Sequence, residues 1–164
     1  PFARIAEQYE AHPPRARPAL VTKAIGDVIP FVATAGCFVE TYTPTHVAVR
    51  LDNRPEVQNH LEGLHAAALA LLAETASGLV VALNVPAGSA PLLRTMDISF
   101  DRFARSAVQA SATLAEAETE RIQSRQIGQI SVDISLTAPA EDEALVTGEL
   151  KWAWLPEERL SESS

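Results

Sequence analysis

Between Leu64 and Val85 nearly every residue is Ala, Leu or Val, with His65, Glu74 and Asn84 as the main interruptions. The block is long enough to span a bilayer, but a carboxylate in mid-span is costly in lipid. The pattern therefore predicts a helix buried on nearly all sides within a folded domain, without membrane insertion. Upstream, Val21, Ile25, Val28, Ile29 and Val32 recur at helical spacing behind Pro18, which predicts a helix bent at Pro30 and ended by Gly36. Residues 1–17 read as a short helical arm, peripheral to the rest, stopped by His12-Pro13-Pro14.

The remaining segments follow period two. Residues 37–43 and 46–52, with Val47, Val49 and Leu51 alternating against His46, Ala48 and Arg50, predict a hairpin across Thr43-Pro44-Thr45. Residues 86–91 read as a Gly/Pro/Ser loop, and residues 96–103, 107–118, 127–137 and 144–155 as four strands. In the third of these, Ile130, Val132, Ile134 and Leu136 stand against Ser131, Asp133, Ser135 and Thr137; in the last, Leu150, Trp152 and Trp154 share one face. Residues 138–143 read as the turn between those two strands, and residues 157–164 as a polar tail. The order of helix, two strands, long helix and four strands is an α+β pattern, met by an antiparallel β-sheet of about six strands wrapped around one central helix, over residues 18–156.

Composition narrows the picture. With 164 residues, 47% of them hydrophobic and 21% charged, and only 7 Gly and 11 Pro, the chain excludes disordered and collagen-like classes. A formal charge of −8 gives a nucleic-acid groove no footprint. The single Cys37 cannot close an internal disulfide, which suits a reducing cytoplasm, and four scattered histidines suggest no metal site. Arg4, Arg15 and Arg17 near the first residue come without the apolar run of a signal peptide, so a cytoplasmic location is expected.

Polar chemistry concentrates at the start of the apolar helix, in Asn59-His60-Leu61-Glu62-Gly63-Leu64-His65-Ala66-Ala67, and at Glu74 within it. A buried helix rarely keeps a carboxylate without a reason. From the residues alone, Glu74 is either an acid at a site or a structural acid that is satisfied or edge-facing. The spacing of Asn59, His65 followed by two small residues, and Glu74 resembles the motif of hotdog-fold acyl-CoA thioesterases of the phenylacetate-pathway and hydroxybenzoyl-CoA type. A closer likeness, in Asn59-His60 and Glu74, is to a bacterial hotdog subfamily of unassigned function. The family's His-Gly-Gly stands here as His65-Ala66-Ala67, and Glu62 occupies the position of a family glycine, with Gly63 beside it.

The resemblance covers about residues 19–155 and implies a hotdog fold with an N-terminal helical extension. It implies thioester hydrolysis, with Glu74 as general base or nucleophile, the Ala66 and Ala67 amides as oxyanion donors, Asn59 orienting water or the carbonyl, and His65 bracing the loop. His60, Gly63, Ser77 and Gly78 are candidate substrate contacts, with Thr75 and Ala76 among the small residues leaving room beside Glu74. No cofactor is expected beyond the coenzyme A of the substrate. Arg102, Arg105, Arg121 and Arg125 are candidates for its phosphates. Glu74 lies about 12 Å along the helix from Ala66 at ~1.5 Å per residue, so one helix cannot bring both to one thioester; the resemblance implies a homodimer or tetramer in which Glu74 of one chain meets Asn59 and Ala66 of another. Two alternatives are a non-catalytic acyl-CoA or lipid-binding module and an enoyl-thioester hydratase or dehydratase, the latter because His60 and Glu74 lie fourteen apart. Cys37 reads as a buried thiol, Trp152 and Trp154 as core or interface, and His46 as exposed.

Overall fold

The computed structural model describes residues 1–139, 141 and 143–161. The chain starts with α1 (Phe2–Glu10), in which Phe2, Ile5, Ala6 and Tyr9 recur at helical spacing and pack on the core, with Ile5 buried. The arm is thus part of the packed structure and not peripheral. The expected bent helix is two helices, α2 (Arg17–Val28) and α3 (Pro30–Ala35), parted at Ile29, whose φ of −122° and ψ of 87° lie outside the helical region. The ring of Pro30 disfavours helical backbone in the residue before it, so the bend becomes a break. Gly36 closes α3 in the left-handed conformation, φ 73°, and a side chain there would strike the Arg54 guanidinium, which donates to the Thr34 carbonyl at 3.0 Å.

The hairpin forms as expected, from β1 (Phe38–Tyr42) and β2 (His46–Leu51). His46 is half-buried and not exposed: its Nε2 sits 3.0 Å from the Ser111 hydroxyl on the neighbouring strand. The apolar block forms α4 (Ala66–Ala82), 17 residues, and no helix among the described residues is long and apolar enough to cross a membrane. Then follow β3 (Ser89–Phe100), β4 (Val108–Thr113), α5 (Glu116–Gln123), β5 (Gly128–Thr137), β6 (Val146–Pro156) and the short α6 (Glu158–Ser161). Residues 162–164 of the expected tail, and Ala140 and Asp142 of the expected turn, lie outside the described residues.

All six strands form one antiparallel sheet in the order β1-β2-β4-β5-β6-β3. Its inner face packs on α4, with Leu72, Ala73, Ala76, Val80, Leu136, Leu150 and Trp154 all essentially buried. Each fully enclosed Leu-sized side chain contributes about 1.5–3 kcal/mol. The arrangement depends on close approach at Gly78, where an added Cβ would lie 2.7 Å from the Trp152 ring. Trp152 lies across α4 there, its indole N–H donating to the Ser77 hydroxyl at 3.1 Å.

Three further segments differ from the expectation. β3 begins at Ser89, inside the expected loop, because it is an edge strand and its Pro91 needs no ladder donor on the open side. The strand expected through Glu118 stops at Thr113, and α5 follows. There Glu118 accepts from the Ala115 N–H at 2.8 Å, Glu116 and Glu118 occupy the first turn and Arg121 the last, as the helix dipole favours. A glutamate-rich tail to a strand pattern reads as alternation, whereas Ala and Glu carry helical propensity. α6 forms at the start of the expected polar tail.

One position tests the sheet itself. A Cβ on Gly148 would lie 2.3 Å from the Asp97 carbonyl oxygen, a backbone atom of the paired β3. Gly148→Ala is expected to lower unfolding free energy by about 1–3 kcal/mol, as overpacking does, read from urea denaturation midpoints at unchanged slope.

Candidate active site

The loop leading into α4 is a closed local turn. The Asn59 N–H donates to the Gly63 carbonyl at 2.8 Å, while its side-chain oxygen accepts from the Leu61 N–H at 2.9 Å and the Gly63 N–H at 3.3 Å. Asn59 therefore braces the loop; its side-chain N–H₂ lies 3.5 Å from the Leu64 carbonyl. Glu62 has a φ of 62°, in the left-handed region. A glycine adopts that conformation freely, and a side chain there carries about 1–2 kcal/mol of strain. This accounts for the glycine expected at that position. Asn53 holds the turn by donating to the carbonyls of Glu62 at 3.0 Å and Arg105 at 2.9 Å. Gly63 is buried, with no room for a Cβ against the Phe103 ring, so close packing requires a glycine there.

His65 is the N-cap of α4, and its Nδ1 accepts from the Ala67 N–H at 3.0 Å. With Nδ1 accepting, the proton of a neutral ring resides on Nε2. One of the two expected oxyanion donors, Ala67, is therefore engaged within the chain. The Ala66 N–H has no acceptor among the described residues, and it stands at the positive end of a 17-residue helix. Ala66 and Ala67 lie in the first helical turn with exposed side chains, so methyl groups fit where the family pattern has glycines. His60 is exposed at the same end.

Glu74 lies two turns along α4, half-buried, and its carboxylate has no hydrogen-bond or ion-pair partner among the described residues. Burial holds its pKa above the ordinary carboxylate value. Beside it opens a cavity of about 210 Å³, walled by Thr75, Gly78, Trp152, Ala90, Pro91 and Phe2. Gly78 and Thr75 border the space next to the acid. Ser77 does not: it is fully buried, its hydroxyl donating to the Ala73 carbonyl at 2.9 Å and accepting from Trp152. Phe2, Ile29, Ala90 and Pro91 were not among the expected site residues, since they come from the arm, the break before α3 and the assumed loop. Trp152 carried a legible signal, an aromatic on the inner face of the last strand.

Cys37 is buried, and its thiol is pushed up to about 11, first by burial; the Arg54 guanidinium lowers it and the Glu74 charge adds to the rise. A thiol so held is a poor nucleophile. Among the described residues no group of three or more His, Cys, Asp or Glu side chains converges as metal ligands. Of the four expected phosphate contacts, Arg102 is paired with Glu141 at 2.8 Å and Glu143 at 3.7 Å. Arg105 stacks over Phe103 beside the Asn59 loop. Arg121 lies on α5 and Arg125 just beyond it, at the other end of α4, where Gln123 donates to the Asn84 side chain.

A family model described as a domain of unknown function, DUF4442, matches residues 17–155. No curated protein matches the chain. Among solved structures, Pseudomonas aeruginosa PA5026, described as a protein of unknown function and probable thioesterase, aligns with a TM-score of 0.73 at 21% identity over 82% of this chain and 93% of its own. Haemophilus influenzae thioesterase HI1161 aligns at 0.67 with 17% identity, over 82% of this chain and 90% of its own. A mutant of the Staphylococcus aureus thioesterase SAV0944 aligns at 0.67 with 19% identity, over 77% of this chain and 99% of its own. That protein is solved with a Gln→Ala and with a Glu→Ala replacement, at positions fifteen residues apart. At these identities the likeness shows the fold, and it is the hotdog arrangement of a sheet wrapped around one helix.

The raised pKa of Glu74 carries a sign. A carboxyl that holds its proton more tightly when folded adds stability at low pH, and that contribution is lost as pH rises from the unfolded value through the higher folded one. Glu74→Gln is therefore expected to melt at a higher temperature than the parent at pH 7, with the difference shrinking toward pH 4, as read by calorimetry at both pH values.

Proposed function

The chain belongs to the DUF4442 family, and from that premise we propose that it is an acyl-CoA thioesterase acting as a homodimer or a larger homo-oligomer. The observation that carries the reading is Glu74: a half-buried carboxylate, unpaired among the described residues, beside a cavity on an otherwise apolar helix. Such an acid costs stability, and a perturbed carboxyl kept at a cavity in spite of that cost points to a functional site; hydrolysis of a thioester by a carboxylate acting as base or nucleophile is the chemistry the cavity suits. The separation of fifteen between Asn59 and Glu74 equals that between the replaced Gln and Glu of the Staphylococcus aureus thioesterase.

The Ala66 N–H at the helix start is the oxyanion donor, with Ala67 held by His65 and lending only its part of the helix dipole. Asn59 acts through the loop it braces, fixing where that turn begins. Arg105, beside the same loop, is the phosphate contact best positioned for coenzyme A. Within one chain Glu74 and Ala66 are separated by about 12 Å at ~1.5 Å per residue. A second chain closes that gap when two α4 helices run antiparallel. The long edge strand β3, half-exposed along most of its length, is the surface on which two sheets join.

Two substitutions test the roles separately. Glu74→Ala is expected to lower thiol release from acyl-CoA by at least about a hundredfold, as loss of an acid–base group does. Ala66→Pro deletes the donor N–H at the first helical position, where proline is tolerated and His65 already has the extended backbone that proline requires. It is expected to cost about 10²–10³ in kcat with little change in melting temperature. Mixing the two variants after unfolding and refolding should restore about a quarter of parent activity, since half of randomly paired dimers would carry one intact site. Full inactivity of the mixture places both groups in the same chain's site and overturns the shared arrangement; no thiol release from any acyl-CoA by the parent overturns the activity.

A further inference from the structure

The space beside Glu74 is small and stops at a specific side chain. At about 210 Å³ it lies below the range of about 300–1,000 Å³ that suits drug-sized ligands, and holds about seven groups of the size of water at ~30 Å³ each. Its outer wall includes Phe2, Ala82, Ala90 and Pro91, and these same four residues line a second, larger cavity of about 560 Å³ between α1 and the turn leading into β3. Ala82, Ala90 and Pro91 carry small or ring-locked side chains, so the Phe2 ring is the one bulky group common to both walls.

Phe2 is also held in place. Ile5, one turn along, is buried in the core, and the Tyr42 hydroxyl donates to the Phe2 carbonyl at 3.2 Å. The Tyr42 phenol is itself shielded by burial, so this contact ties the start of α1 to the hairpin. The whole of α1 lies outside residues 17–155, the part matched by the family model.

We propose that Phe2 is the residue that sets acyl-chain length: its ring partitions the pocket beside Glu74 from the larger cavity beyond, so that short aliphatic acyl groups fit and longer ones are stopped. The inference rests on the thioesterase reading for its substrate and adds the segment that measures it. A saturated chain is the occupant because the inner wall, Gly78, Leu79 and Trp152, offers apolar surface and one ring, with Glu74 beside it. Removing the Phe2 ring joins the two cavities end to end, whereas a larger ring narrows the first.

The experiment compares the parent, Phe2→Ala and Phe2→Trp across straight-chain acyl-CoAs from acetyl to palmitoyl, by thiol release, with melting temperatures as the fold check. The parent is expected to show a sharp fall in kcat/KM beyond a short chain. Phe2→Ala should move that fall outward and raise the ratio of long-chain to short-chain kcat/KM by at least about tenfold, the discrimination that a methylene-sized change in a pocket gives. Phe2→Trp should move it inward, so either variant decides the matter if the other does not fold. Parallel changes at every chain length in a folded variant overturn the proposal. The same series is read by binding in the Glu74→Gln background, from the change in tryptophan emission, to which Trp152, lining the pocket, contributes alongside Trp154. If the parent releases no thiol, the catalytic reading fails while this binding series still decides the partition: a chain-length limit in Kd that moves with residue 2 upholds it, and one indifferent to residue 2 overturns it.

Discussion

A helix that is apolar on every face must be enclosed, and the structure follows from enclosing α4. Buried residues point from it in all directions, Leu69, Leu72, Ala73, Ala76, Leu79, Val80 and Val81 among them. A flat sheet would cover one side only. The six-stranded sheet wraps the helix, contributing the alternate residues of β5 and the Leu150, Trp152 and Trp154 face of β6, while α1 and α3 also pack against it. Each of these elements is defined by what it covers.

Enclosure also gives the exceptions their meaning. The two parts of α4 left incompletely covered are its first turn, where His65, Ala66 and Ala67 are exposed, and the flank carrying Glu74. Other buried polar groups on or just beyond the helix are satisfied: Ser77 and Thr75 donate to carbonyls one turn back, and Asn84, past its end, donates to the Pro44 and Val80 carbonyls. Glu74 alone of these has no such partner among the described residues. A helix packed this tightly cannot bend to carry its acid toward its own N-terminus, since the intervening Leu69, Leu72 and Ala73 are core. The separation of acid and helix dipole is therefore built into the fold, and the proposed site shared between two chains would relieve it.

The legible parts of the sequence were those where one physical pattern acted alone. The α4 block, the hairpin and the strict alternation from Ile130 to Leu136 each had a single solution, and Glu74 stood out because a carboxylate is costly there. The loop motif was legible in its positions but not in its bonding. Nothing in the spacing of Asn59, His65 and Ala67 states that the asparagine oxygen closes the turn or that the imidazole takes the Ala67 amide. Where two patterns overlap, one hides the other: the run from Ala107 to Glu118 alternates, yet its second half obeys helix capping and dipole preferences. Pro91 marked a loop by composition, whereas its place on an open edge let the strand run through it. The arm was set aside for its prolines, although Phe2, Ile5, Ala6 and Tyr9 carried a helical stripe.

The enclosure of α4 also limits where a binding pocket can be varied. A side chain at Gly78 would meet Trp152, Ser77 and Ala73 have no free surface, and Trp152 is fixed by its hydrogen bond to Ser77. Changing the size of the pocket from the helix side would therefore disturb the packing that holds the sheet. The outer wall is under no such constraint. Phe2 sits at the start of a helix that contributes a single buried residue to the core and is joined to the hairpin by one hydroxyl contact to its backbone carbonyl, so that anchor does not depend on the Phe2 ring. On the proposed reading, chemistry falls to the element the fold cannot alter, and fit to one that it can.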